Sequence, residues 1–306
     1  HNLSYLFLNR KNTPLEKLLW RIVSDGSERF DTHFDLAVSY IEGGSAYYVH
    51  DHVSAAKKAA FIHVDYVQAG YTRRLDKDCY VDFDRIFAVS DETAGVFAGV
   101  YPECQQKLSV FHNLIDTEAI RQKALSPAEK SMHEGIRLLT VGRLTPQKGF
   151  DCAVYALKLL LEKQYPVYWY IIGEGPEYGR LTQLARSLHV EDHFIFLGMQ
   201  TNPYPYFKMA DFYIHATRFE GKSIAIQEAQ VLGCAIAASD CSGNREQIVS
   251  GVDGLLCPFS PEGIANAVEY LIEHPQTAQS FGRAAAQKAC HFENDIHMIR
   301  DLLYSP

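Results

Sequence analysis

Two acids eight positions apart, Glu220 and Glu228, bracket the stretch of this 306-residue chain with the most chemical potential. The run Phe219-Glu220-Gly221-Lys222-Ser223-Ile224-Ala225-Ile226-Gln227-Glu228-Ala229 follows an apolar strand-like segment and opens a helix-like one. Gly221 lets the backbone approach a ligand closely, and free N–H groups around Lys222 and Ser223 at a helix N-terminus suit a diphosphate. Glu228 then lies about 7 to 8 Å further along the axis, at about 1.5 Å per residue. That is the reach from a diphosphate to the ribose attached to it. Ala225, Ile226, Ala229 and Leu232 flank Glu228, so its carboxylate needs a hydrogen-bond partner. A pair of sugar hydroxyls would serve; a neighbouring Lys or Arg is the alternative.

Positive charge sits in a matching place. Thr140-Val141-Gly142-Arg143-Leu144 ends one apolar run, and Pro146-Gln147-Lys148-Gly149-Phe150 leads into the helix that follows. Arg143 can grip phosphate oxygens with its forked guanidinium and Lys148 can act as a point charge. Each alone reads first as a solvated surface cation; their place just before a helix raises the phosphate reading. Gly173-Glu174-Gly175-Pro176 suggests a dinucleotide fingerprint, but Tyr178 stands where its third glycine belongs, which argues against a nicotinamide dehydrogenase. The 13 histidines show no HExxH or comparable ligand spacing, so no metal is expected. His63, in Phe61-Ile62-His63-Val64-Asp65-Tyr66, follows an apolar run and reads as either structural or catalytic.

These residues require a sheet whose strand ends gather them. Apolar runs at 136–141, 167–172, 193–197, 211–215, 235–238 and 254–257 alternate with stretches of helical periodicity at 150–163, 179–188, 204–209, 223–232 and 261–274. That alternation is the pattern of βα units on a parallel sheet, an α/β fold. Ligands of such sheets bind at the C-terminal strand edge, where Arg143 and Lys148 fall. Strand-like runs at 35–40, 59–64, 85–90 and 107–112 precede a polar segment, 113–134, that marks a domain boundary.

Arg143, Lys148, Gly173 to Pro176, Phe196-Leu197-Gly198 and Glu220 to Glu228 occur in an order and spacing that resembles the group-1 glycosyltransferases, family 4 of the retaining enzymes. The likeness is strong over 136–260 and weaker over nearly the whole chain. It implies a GT-B fold, two Rossmann-like domains facing a cleft: a partial acceptor-side domain over 1–120, a nucleotide-sugar-binding domain over 136–290, and a C-terminal helix over 291–306 packing back on the first. It also implies that the first domain is truncated, lacking its first strands and a glycine-rich loop. By the same resemblance, Arg143 and Lys148 hold the donor diphosphate in place of a metal, and Glu228 binds the ribose. Glu220 contacts the transferred sugar, and Gly221, Lys222 and Ser223 offer backbone N–H groups. Gly142, Gly173, Gly175 and Gly198 shape the nucleotide pocket, and Met199 and Gln200 follow Gly198 in the base-contacting loop. The strand end 61–66 resembles the one facing the donor sugar, which implies a catalytic His63 near the reacting carbon or the acceptor hydroxyl, and Glu42-Gly43-Gly44, before Tyr47 and Tyr48, resembles the acceptor-side loop of bacterial polysaccharide members.

The implied reaction is transfer of a sugar from a nucleoside diphosphate to an acceptor hydroxyl with retention, by a hexosyltransferase needing only the nucleotide-sugar donor and no metal. The acceptor implied is a glycan or a lipid-linked acceptor. Two alternatives share the donor: a non-catalytic nucleotide-sugar-binding subunit and a nucleotide-sugar epimerase. A formal charge of -8 argues against nucleic acid as a partner. Seven cysteines without CxxC pairs and the lack of a leader-like start are read as cytoplasmic, compatible with peripheral contact at the inner membrane face through the missing segment.

Overall fold

The computed structural model describes residues 26–289 and 295–304, which divide into two compact units. Residues 26–114 with 295–304 form the first, and 115–289 form the second. Cys290, the 291–294 and 305–306 parts of the expected C-terminal helix and the segment 1–25 lie outside the described residues.

In the first unit, β1 (Phe34–Ser39), β2 (Ala55–Ile62), β3 (Arg85–Ala88) and β4 (Leu108–Val110) form a parallel sheet in sequential order. Successive strand residues point to opposite faces, and the core divides accordingly. Ala60, Ile62 and Ile86 pack with Tyr47, Phe97 and Tyr101 from the helices Gly44–His52 and Asp91–Val100 and the residue after the latter. Ala59, Phe61, Phe87 and Phe111 pack instead with Leu302, Met298 and Ile299 of the C-terminal helix Ile296–Tyr304. Lys57 Nζ donates to the Leu302 carbonyl at 3.2 Å, and Asp295 accepts the His112 N–H at 2.7 Å. The fully buried Asp76 accepts the Tyr47 and Tyr101 hydroxyls. Beside them the Tyr80 hydroxyl accepts the Gly43 N–H at 3.2 Å, which anchors the turn carrying Glu42.

The second unit holds β5 (Ile136–Val141), β6 (Val167–Ile172), β7 (Phe194–Gly198), β8 (Phe212–His215), β9 (Ala235–Ser239) and β10 (Leu255–Cys257). All pair in parallel, in the order β10-β9-β8-β5-β6-β7. The chain builds outward from β5 through β6 to β7, then returns to the other side of β5 to lay down β8. That reversal makes a topological switch point between the C-terminal ends of β5 and β8, where open α/β sheets leave a crevice. Leu138, Trp169, Ile171, Ile214 and Ala237 pack with the helices Phe150–Glu162 and Pro261–Glu273. Their strand neighbours Leu139, Tyr170, Ile172, Tyr213 and Ile236 pack with Tyr204–Met209 and Ile224–Val231 on the other face. The helix Thr117–Lys123 also belongs to this unit, since Ile120 packs with Val231 and Ala289.

Candidate functional site

Lys148 follows β5 and Glu220 follows β8, so the switch point brings them together. Lys148 Nζ hydrogen-bonds Glu220 Oε2, and His215 Nε2 lies 3.3 Å from the same oxygen. The two turns are stitched to each other. The Arg218 N–H donates to the Gln147 carbonyl at 2.8 Å, the Thr217 hydroxyl lies 3.1 Å from that carbonyl, and Gln147 Nε2 donates to Phe219 O at 3.0 Å. Arg218 pairs with Asp151 at 2.7 Å on the helix that follows. Behind Glu220 the backbone packs without room for a side chain: a Cβ at Gly243 would lie 2.1 Å from Gly221 O.

Burial alone would push the Glu220 carboxyl up, but the His215 hydrogen bond and the Lys148 charge outweigh it and hold the group at about 2. Glu220 is therefore a carboxylate at neutral pH, an acceptor only. The buried His215 is pushed down by loss of solvent, an effect that the Glu220 hydrogen bond opposes. His215 was not anticipated from sequence, where it reads as the last residue of an apolar strand.

Glu228 lies one turn into the helix Ile224–Val231, half-buried. Its partner is the Tyr204 hydroxyl, 3.0 Å from Oε1, rather than the Lys or Arg considered as an alternative. Burial pushes the Glu228 carboxyl up and the Tyr204 hydrogen bond opposes that. Burial and the Glu228 charge in turn push Tyr204 up to about 12, so it remains a donor. Gly221 and Ser223 are buried and Lys222 is half-buried at the start of this helix; the Ser223 side chain makes no capping bond. Arg143 is exposed at the end of β5 and forms no ion pair among the described residues.

The glycines do two jobs. Gly142 N–H donates to Ile172 O and Gly173 N–H to Gly198 O, both at 2.9 Å, which aligns the turns after β5, β6 and β7. Gly173 has φ of 139°, and a Cβ there would stand 2.0 Å from Gly142 O; one at Gly175 would stand 2.4 Å from Leu144 O. Contact between adjacent turns thus already demands these two glycines. Gly173, Gly175 and Gly198, with Glu174, Tyr178, Phe196 and Leu197, line a cavity of about 520 Å³. Met199 is 72% exposed and does not line it, while Gln200 Nε2 is tied to Leu197 O at 2.9 Å.

His63 stands in the other unit, just past β2. Its N–H donates to Glu42 Oε2 at 2.9 Å, and its Nδ1, 3.8 Å from that oxygen, is buried without a hydrogen bond. Tyr40 and Phe61 flank the ring, with centroids at 5.2 and 5.8 Å. Burial pushes His63 down against the pull of Glu42, which favours neutral imidazole. Among the described residues no three His, Cys, Asp or Glu side chains gather as metal ligands, and no helix is long and apolar enough to cross a membrane.

Residues 121–288 match the family model described as glycosyl transferases group 1. The N-acetylgalactosamine-N,N'-diacetylbacillosaminyl-diphospho-undecaprenol 4-alpha-N-acetylgalactosaminyltransferase of Campylobacter jejuni is 30% identical over 200 residues, 65% of this chain and 53% of that enzyme. Among solved structures, Anabaena Alr3699/HepE in complex with UDP-glucose aligns with a TM-score of 0.73 at 17% identity, covering 95% of this chain and 83% of that one. A glycosyltransferase from Rickettsia africae aligns with a TM-score of 0.72 at 17% identity, covering 97% and 84%. At that identity the structural likeness speaks for the GT-B fold, two parallel α/β units, and for nothing finer. The chain spans about half the length, or less, of the curated relatives it matches.

Proposed function

Because the chain belongs to the group 1 glycosyl transferases, we propose that its second unit binds a nucleoside diphosphate sugar, and that the protein transfers the sugar to an acceptor hydroxyl with retention at the anomeric carbon. The observation that carries this reading is the cluster at the switch point. An ionised Glu220 held by Lys148 and His215 lies beside the start of the helix Ile224–Val231, with Glu228 further along that helix. Arg143 and Lys148 take the diphosphate together with the helix's first N–H groups around Gly221, Lys222 and Ser223. Glu228 accepts from the ribose hydroxyls, Glu220 from a hydroxyl of the transferred sugar, and the cavity at Gly173, Gly175 and Gly198 takes the base, with the exposed Met199 next in sequence to Gly198. His63 serves the acceptor side from the first unit.

In the transfer, the bond from the anomeric carbon to the β-phosphate oxygen breaks and the nucleoside diphosphate leaves with the electron pair. Fixed cations stabilise that departure without a metal ion. The acceptor oxygen forms the new bond and its proton is released. UDP is the first nucleotide to test, since the Anabaena structure contains UDP-glucose, and a lipid-linked glycan is the acceptor class to test, given the name of the Campylobacter enzyme.

Glu228→Gln and Glu220→Gln separate the roles. The first is expected to weaken binding of free UDP by roughly 1 to 3 kcal/mol, the worth of a charge-assisted hydrogen bond. The second should spare free UDP and weaken the sugar nucleotide. The reverse pattern would exchange the two acids, and no effect from either would sink the reading. Titration with and without EDTA should give the same affinity; loss of binding in EDTA would refute metal independence.

A further inference from the structure

Glu220 has two carboxylate oxygens, and the structure uses them unequally. Lys148 Nζ and His215 Nε2 both converge on Oε2, and no described residue hydrogen-bonds Oε1. We propose that His215 is a positioning residue: with Lys148 it occupies Oε2 of Glu220, fixes the carboxylate plane, and leaves Oε1 as the one acceptor for a hydroxyl of the transferred sugar. This deepens the donor-site reading and rests on it.

The hydrogen bonds determine which tautomer does this. An ionised carboxylate can only accept, so Nε2 of His215 must carry the proton. In the neutral ring Nδ1 is then an acceptor, and its neighbour is the Tyr213 hydroxyl at 3.1 Å. Tyr213 has one hydroxyl proton. It donates that proton to Nδ1, and the Val141 carbonyl, at 3.5 Å, is left as the long contact. The chain therefore runs in one direction, from Tyr213 to His215 to Glu220. Tyr213 is fully buried and His215 is 2% exposed, so water does not compete for these bonds. Burial also lowers the basicity of His215, which keeps it in the neutral form that this relay requires. A carboxylate whose plane is set before the ligand arrives discriminates by geometry: a sugar whose hydroxyl meets Oε1 gains a charge-assisted bond, and one whose hydroxyl points elsewhere does not.

The test uses the intact chain and calorimetric titration with UDP, UDP-glucose and UDP-N-acetylglucosamine, plus GDP and GDP-mannose. The readout is the affinity for each sugar nucleotide relative to its free nucleotide. His215→Asn keeps an amide but puts its N–H one bond short of Oε2, whereas His215→Gln carries an amide N–H to where the imidazole Nε2–H stood. The Asn variant is expected to bind free nucleotide within about twofold of wild type and the sugar nucleotide about tenfold more weakly, as for the loss of a hydrogen bond to a charged group. The Gln variant should recover most of that tenfold. If His215 acts only through Glu220, the His215→Asn, Glu220→Gln double variant should be no worse than Glu220→Gln alone.

Three results would overturn the proposal: equal loss for free and sugar nucleotide in His215→Asn, a Gln variant as poor as Asn, or losses that simply add in the double variant. A wild-type chain that binds no nucleotide of the panel would refute the donor site itself, and this inference with it. Near-ultraviolet circular dichroism of each variant is the folding control and tells a chain that merely misfolds from the first of the three results.

Discussion

Replacing Tyr204 by Phe would remove one hydroxyl and leave the ring that packs near Phe207. The hydroxyl is the only hydrogen-bond partner of the Glu228 carboxylate among the described residues, at 3.0 Å, and it favours the ionised form that burial disfavours. Without it the carboxyl is pushed up further. The sign follows from linkage. A carboxyl already raised in the folded state stabilises the fold at acid pH and loses that contribution as pH rises through its folded pKa. A ligand that needs the carboxylate therefore binds better as pH rises and releases a proton when it binds at lower pH. A hydrogen bond to a charged group is worth about 1.5 to 3 kcal/mol, which is about 10- to 100-fold in the balance between the two protonation states. Titrated between pH 6 and pH 8, Tyr204→Phe is thus expected to bind UDP more weakly than wild type, with the gap widest at the acid end and closing as pH rises. Calorimetry in two buffers of different ionisation enthalpy would give both the affinity and the number of protons released. Glu228→Gln should keep only the proton release and slope that come from the UDP phosphate itself, which titrates at about pH 6. If Tyr204→Phe and wild type lose affinity in parallel across this range, the ribose is not held by the Glu228 carboxylate.

Other outcomes can be checked on the same protein. Arg143→Ala and Lys148→Met should each weaken a nucleoside diphosphate far more than the nucleoside; equal losses by calorimetry would place these cations away from phosphate. Gly173→Ala should destabilise the second unit by more than about 2 kcal/mol in urea denaturation, because a Cβ would stand 2.0 Å from Gly142 O at a φ of 139°. Retention of wild-type stability would mean that the turns after β5 and β6 separate easily. Leu302→Ala should cost the first unit about 2 to 4 kcal/mol through the cavity left over Phe61 and Phe87. In a Trp20→Phe background Trp169 is the only tryptophan, so its fluorescence should show the second unit unfolding as before.

The second unit was the more legible from sequence, for a physical reason. Val167–Ile172 and Ile136–Val141 are central strands covered on both faces, so they read as continuous apolar runs. The start of β2 was hidden because Lys57 and Lys58 look like solvent-facing residues; in fact their amines reach the carbonyls of Leu302 and His50. The helix Asp91–Val100 does not stand out because Ser90 reads as the end of the apolar run 85–90, although its hydroxyl caps the helix by accepting the Thr93 N–H at 3.1 Å. Glu42-Gly43-Gly44 reads as a loop with no element assigned after it, whereas the helix Gly44–His52 begins directly where Gly43 adopts a φ of 78°.

At the site, Glu220, Glu228, Arg143 and Lys148 could be picked out because charge beside a strand end or within an apolar helix is unusual in type. Their partners could not. Tyr204 and His215 are ordinary residues in sequence, and they become notable only when the sheet order places β8 beside β5 and the helix Tyr204–Met209 beside Ile224–Val231. Gly243 was passed over for the same reason, since only the fold shows that it backs the Glu220–Gly221 peptide.

The completion of the first sheet by Leu302, Met298 and Ile299 sets a timetable for the growing polypeptide. Phe61, Phe87 and Phe111 leave the ribosome before the whole second unit, and the helix that covers them leaves after it. At about 5 to 20 residues per second, translating the intervening stretch takes roughly 10 to 40 s. Through that interval three phenylalanines on a sheet face await a cover that has not yet been made, while the second unit can close around its own core as soon as it emerges. The interval of greatest exposure to aggregation, and of greatest use for a chaperone, thus runs while the second unit is being made and belongs to the unit whose strands precede it.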